Sequence, residues 1–140
     1  MSSENPFFIL VAEDDPDDQD ILQILLDTHF PQWHYHIVNN GQLLIDYLSN
    51  KTEQPFPVSL VLIDINMPVK DGIETLKSLR TMIEYKYLPV VAFSTSGNKW
   101  MEDTFMKAGG NAYLQKPDKL EQMVYVLSQL PELIKKTGNK

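Results

Sequence analysis

The chain has no cysteine. That excludes a disulfide framework, a thiolate nucleophile and thiolate metal ligands. No apolar run approaches the roughly 18 residues of a membrane span. The opening Met1-Ser2-Ser3-Glu4-Asn5-Pro6 lacks the basic region of a signal peptide. We therefore expect no membrane insertion and a cytoplasmic location. Positive charge is missing from the first third of the chain, where the first Lys or Arg is Lys51. Residues 13–20, by contrast, hold six of the 19 acids, and the other 13 nearly balance the 12 basic residues. The net charge of −7 is thus largely one local cluster. An acidic surface repels nucleic acid, so no nucleic-acid partner is expected. A dense cluster of carboxylates can hold a hard cation. Acids at a helix start are also favoured by the macrodipole. Both readings apply here: Glu13 and Asp14 lie at a strand end, and Asp17, Asp18 and Asp20 in the first helical turn.

At 140 residues the chain suits one domain with a single sizeable core. Short apolar runs alternate with amphipathic segments. Strands are predicted over about 7–12, 35–38, 58–64, 88–93 and 111–115. Val58-Ser59-Leu60-Val61-Leu62-Ile63 is typical of a strand buried on both faces. Between the strands, apolar residues recur at helical spacing. Ile21, Leu22, Ile24, Leu25 and Leu26 mark the first helix, and Leu43, Leu44, Tyr47 and Leu48 the second. Ile73, Leu76, Leu79 and Ile83 mark the third. Met101, Phe105 and Ala108 mark the fourth, closed by Gly109-Gly110. Leu120, Met123, Val124, Leu127 and Leu130 mark the fifth, which Pro131 should kink or end. Five alternating β/α units imply an α/β fold, a parallel sheet with helices on both faces.

In such sheets ligands bind just beyond the carboxyl ends of the strands. Asp64 follows the third strand, Glu13-Asp14-Asp15 the first, Ser94 the fourth and Lys116-Pro117 the fifth. Acids, a hydroxyl and a lysine on one edge suggest a cation-assisted phosphoryl site. Singly, each has a plainer reading: a strand-end Asp caps a loop, and a lysine is solvated. His34 and His36 lack a supporting ligand set and are expected to be packing or surface residues. Trp100 is expected to be core before it is a partner contact.

Taken together, these motifs resemble the receiver domain of two-component response regulators. The resemblance covers about Phe7 to Lys135, with 30 residues from Asp64 to Ser94 and 22 from Ser94 to Lys116. It implies a flavodoxin-like (βα)5 doubly wound sandwich with a five-stranded sheet of order 2-1-3-4-5 and a single receiver domain over 1–140 with no output domain. Asp64 then resembles the phosphoacceptor. Asp14, Asp64 and the Asn66 backbone carbonyl resemble ligands of Mg²⁺ or Mn²⁺, with Glu13 acting through water. Asp15-Pro16 resembles the Asp-Pro that follows the acidic pair. Ser94 and Lys116 match the hydroxyl and lysine positions, and Ser94 and Tyr113 the switch pair. The peptide before Pro117 is usually cis in this family. The 50 residues from Asp14 to Asp64 exceed the compact family spacing. We place the surplus around His29–Trp33 or Asn50–Pro57, away from the site.

The function implied is a phosphoacceptor signalling protein, not an enzyme acting on a separate substrate. It would take phosphate from a histidine kinase or phosphotransfer protein. It would signal to a downstream protein through the face of helix four, strand five and helix five, as a monomer or weak homodimer. The alternative is a phosphorylation-independent interaction module of the same fold. A phosphate-cleaving enzyme of similar topology would need a separate acid/base and a cap domain.

Overall fold

Apolar residues on both faces of the first, third and fourth strands force the sheet into the middle of the molecule. The computed structural model describes residues 5–95 and 97–137. Its strands are β1 (Phe8–Ala12), β2 (His34–Val38), β3 (Leu60–Ile63), β4 (Val90–Ser94) and β5 (Ala112–Gln115). All neighbours are parallel, in the order β2-β1-β3-β4-β5. The helices are α1 (Pro16–His29), α2 (Gly41–Ser49), α3 (Gly72–Thr81), α4 (Lys99–Lys107), α5 (Leu120–Ser128) and α6 (Leu130–Thr137). The sheet order and the alternation match the flavodoxin-like expectation.

Successive strand residues face opposite ways, so each strand feeds two cores. Leu10, Val61, Ile63 and Ala92 pack with Leu44 and Leu48 of α2, Leu76 and Leu79 of α3, and Phe105 of α4. Ile9, Val11, Leu62 and Phe93 pack with Leu22, Leu25 and Leu26 of α1, Leu127 of α5 and Leu130 of α6. Burying one such side chain contributes about 1.5–3 kcal/mol.

Local chemistry sets the helix ends. Asp15 caps α1, its carboxylate accepting from the Asp17 amide at 2.9 Å, and Pro16 follows in the first turn. Asp71 and Glu74 form a reciprocal capping box on α3. Gly109, at φ +109°, closes α4 in a conformation that a side chain would strain. Pro131 ends one helix and opens another: α5 stops at Ser128 and α6 starts at Leu130.

Three expectations need correction. Ile83 does not extend α3, which stops at Thr81; it stands in a separate 3₁₀ turn, Ile83–Tyr85, and is 90% exposed. Ile24, Leu43 and Leu120 lie on their helices but face outward, because their neighbours fill the inner positions. Trp100 is exposed, because Met101 and Phe105 take the inward face of α4. His34 and His36 are exposed, with His36 stacked on Tyr47 at 4.3 Å, as expected of surface packing.

The connections Phe30–Trp33 and Asn50–Ser59 both run into the amino ends of strands. They lie at the opposite end of the sheet from Asp64.

Candidate functional site: a carboxylate and lysine cluster at the strand ends

Glu13, Asp64 and Lys116 are each the first residue beyond a strand and Ser94 is the last within one, and the backbone fixes them there. The ladder runs one residue past the strands. The Glu13 amide donates to the Val38 carbonyl at 3.0 Å, and the Asp64 amide to Ala12 at 3.0 Å. The Lys116 amide donates to Ser94 at 2.8 Å. Parallel register sets Ala12 beside Ile63, so Glu13 and Asp64 emerge side by side. Ser94 is fully buried at the end of β4.

The side chains converge on Lys116. Its Nζ donates to Glu13 Oε1 at 2.6 Å and to Asp18 Oδ2 at 2.9 Å, and lies 3.7 Å from Asp64 Oδ2. The lysine side chain is 6% exposed and that of Glu13 3%. Burial lowers the lysine pKa, but the hydrogen bonds to Glu13 and Asp18 outweigh it and hold the ammonium above its ordinary value. Burial raises the Glu13 carboxyl to about 7, against the opposing pull of Lys116. Burial also raises Asp64, opposed by Lys116 and by the amides of Asn66 and Ile65.

Glu13, Asp14 and Asp64 each offer a carboxylate oxygen, all within 4.8 Å of one another. Three hard oxygen donors in one place suit Mg²⁺ or Mn²⁺, which take carboxylates and retain waters. With Asp18, four acids face one ammonium group, so a cation would relieve a surplus of negative charge. The donor set therefore fits a divalent ion. Asp15 is not part of this set; it is spent on capping α1.

Sequence reasoning missed the reach of Asp18. It stands three residues after the N-cap Asp15, so the first turn of α1 aims it back at the strand ends. It also missed Gln19, whose amide donates to the Glu13 carbonyl and, at 2.8 Å, to Asn39. The Lys116–Pro117 peptide is trans, contrary to the family expectation, as are all others among the described residues. Lys116 reaches Glu13 and Asp18 from that trans backbone. Tyr113 is half-buried on β5, with its ring edge-on to Phe105 of α4 at 6.0 Å.

The loop after β3 is tightly closed. The Gly72 amide donates to the Ile65 carbonyl at 2.9 Å. A Cβ on Gly72 would sit 2.6 Å from the Asp64 carbonyl oxygen, so only glycine fits without moving the site's backbone. Within this loop Val69 has φ 70°, a left-handed conformation that a β-branched residue seldom adopts.

Residues 9–128 match the model of the response regulator receiver domain. The chain belongs to that family. Response regulator Rcp1 of Synechocystis sp. is 31% identical over 88% of this chain and 86% of its own length. The two-component response regulator ORR1 of Oryza sativa subsp. japonica is 27% identical over 78% of this chain but 48% of its own. Among solved structures, the phosphorylated cyanobacterial phytochrome response regulator RcpA superposes with a TM-score of 0.80 at 27% identity. That match covers 91% of this chain and 93% of RcpA. The Mn²⁺-bound form of Rcp1 superposes at 0.77, with 28% identity and the same coverage. A receiver domain is a signalling module, and the acidic cluster is consistent with a divalent metal site in it. No described helix is long and apolar enough to cross a membrane.

Proposed function

We propose that this receiver domain is a stand-alone response regulator that accepts a phosphoryl group on Asp64. The observation that carries the reading is the position of Lys116, whose ammonium lies between Glu13 and Asp64 at the ends of three strands. The donor is a histidine kinase or phosphotransfer protein. An Asp64 carboxylate oxygen attacks phosphorus, the bond to the donor's imidazole nitrogen breaks, and the electron pair leaves with that nitrogen. Carboxylates are weak nucleophiles toward an anionic phosphoryl group, so positioning and charge neutralisation decide the rate.

Asp14, Asp64 and the Asn66 carbonyl would hold Mg²⁺ or Mn²⁺ directly, and Glu13 would contribute through water. A bound divalent cation neutralises charge on the transferred phosphoryl oxygens. Lys116 supplies a compact positive charge to one such oxygen, and Ser94 donates a hydrogen bond to another. Drawing Ser94 inward gives Tyr113 room to turn, which alters the α4–β5–α5 face. This is a shift between existing populations driven by differential contacts. Lys99, Glu102 and Met106 on α4, and Gln122 and Tyr125 on α5, are the candidate partner contacts. Support for a stand-alone role comes from the share of Rcp1 that the chain spans, 86%.

Incubation with acetyl phosphate and Mg²⁺, followed by intact mass, tests this. Wild type gains one phosphoryl group and Asp64→Asn gains none. Labelling of the variant at the wild-type rate would remove Asp64 from the role.

A further inference from the structure

The amino end of the sheet, opposite the carboxylate cluster, carries a bipartite groove. Its first half has a volume of about 490 Å³ and is lined by Pro55, Phe56, Pro57, Ile83, Tyr85 and Leu88, among others. That is within the range of ligand-binding clefts, roughly 300–1,000 Å³. The walls are fixed. Phe56 packs edge-on to Phe8 at 6.5 Å and against His34 at 4.8 Å. The Tyr85 hydroxyl donates to the Leu48 carbonyl at 2.7 Å. A Lys51–Glu84 ion pair ties the Asn50–Pro57 connection to the turn at Ile83–Tyr85.

The second half, about 410 Å³, is lined by Arg80, Lys86, Tyr87, Lys107, Gly109 and Asn111, and by no acid. Tyr87 lines both halves, so they form one surface. The Arg80 guanidinium is held rigidly but only by neutral acceptors. These are the Gly109 carbonyl at 2.8 and 3.0 Å, the Tyr85 carbonyl at 3.0 Å and Asn111 Oδ1 at 3.0 Å. No carboxylate pairs with Arg80, Lys86 or Lys107 among the described residues. Arg80 and Lys107 lie in the last turns of α3 and α4, where the helix dipole favours a cation. That accounts for cations being tolerated there. It does not account for three of them converging without an acid in a chain of net charge −7.

We infer that this groove docks a partner-protein segment that carries apolar side chains beside carboxylates. The apolar side chains enter between Phe56, Tyr85 and Ile83, and the carboxylates face Lys86, Lys107 and Arg80. Tyr and Arg are the side chains on which interface energy concentrates. Ile83 and Tyr87 are 90% and 84% exposed on the rim, open to an extended chain rather than closed around a small molecule. An anionic membrane is the poorer occupant, because a bilayer surface does not enter a groove walled by Phe56, Pro57 and Tyr85. Since the groove lies at the other end of the strands from Asp64, docking there leaves the phosphoacceptor edge free.

The test uses the isotope-labelled full chain and a capped probe peptide, Trp-Leu-Pro-Asp-Glu-Asp, followed by NMR. The expected result is saturable shifts at the amides of Phe56, Lys86, Tyr87 and Gly109. Reversing both lysines, Lys86→Glu with Lys107→Glu, should weaken binding by about tenfold or more, as expected for charges that anchor one partner. Ile83→Ser should also weaken it. Phosphoryl labelling of Asp64 by acetyl phosphate should be unchanged in these variants, which verifies that they fold. The inference fails if the peptide does not shift these amides, or if a Trp-Leu-Pro-Lys-Lys-Lys control binds as well. It fails equally if only phosphatidylserine vesicles engage the groove, which would make it a membrane contact.

Discussion

Lys116 leans toward Glu13, at 2.6 Å, and away from Asp64, at 3.7 Å. The ammonium group that the proposed phosphoryl chemistry needs is thus already engaged by a buried acid, and in that proposal it exchanges partners to serve Asp64. Its present role is to neutralise a cluster that would otherwise repel itself. Lys116→Met should leave Glu13 buried without a counter-charge and cost about 3 kcal/mol. Glu13→Gln should cost less, because Lys116 keeps Asp18. Urea unfolding of both variants measures the difference, and equal losses would mean that Lys116 is not the centre of the cluster.

Asp14 and Asp15 are neighbours with different work. Asp14 contributes to the carboxylate cluster, and Asp15 caps α1. Asp14→Ala should abolish Mg²⁺-dependent labelling. It should also raise metal-free stability by roughly 0.5–2 kcal/mol, because it relieves repulsion at a site built for function. Asp15→Ala should do the reverse: labelling largely kept, stability lowered by about 1 kcal/mol through the lost cap. If the two patterns were exchanged, the metal ligand would be Asp15.

Val69 holds φ 70° and is 79% exposed, so packing does not compensate for the strain. Val69→Gly should stabilise the protein by up to about 1 kcal/mol, the left-handed penalty less the extra chain entropy of glycine. Val69→Ala keeps the backbone penalty and should gain little. Equal gains from both, in thermal or urea unfolding, would trace the effect to the exposed apolar side chain.

Tyr113 touches Phe105 of α4 and lies on the strand beside Ser94. Beryllofluoride with Mg²⁺ should change the emission of Trp100 on α4, read in a Trp33→Phe background. Tyr113→Ala should shrink that change while leaving acetyl phosphate labelling intact. An undiminished change would assign Tyr113 to packing and send the signal through another route.

The sheet was legible because parallel strands buried on both faces must be continuous apolar runs, as in Leu60–Ile63. The cluster was legible because such a sheet delivers every strand end to one edge, so residues as distant as Glu13 and Lys116 could be placed together from order alone. Asp18 was not, because its direction depends on where Asp15 starts the helix. Periodicity assigns Ile83 to an apolar face, and apolar character alone assigns Trp100 to the core; neither says where a helix ends or which apolar residue its neighbour displaces from the inside. The φ of Val69 belongs to a three-residue turn in which the Lys70 amide donates to the Pro68 carbonyl at 2.7 Å, with no local signal at Val69 itself. The groove draws on segments near 51–58, 80–88 and 107–111, which share no motif.

The amides of Glu13, Asp64 and Lys116 donate to Val38, Ala12 and Ser94, so these residues of the candidate site are also the final rungs of the sheet. Their backbone cannot swing without unzipping the strands, and unzipping draws on the global stability of the domain. Movement that follows a chemical change at Asp64 therefore has to be taken up by side chains and by the loops beyond the rungs. The sheet acts as the anvil, fixed in both states, and the cost of switching is set by what lies past its edge.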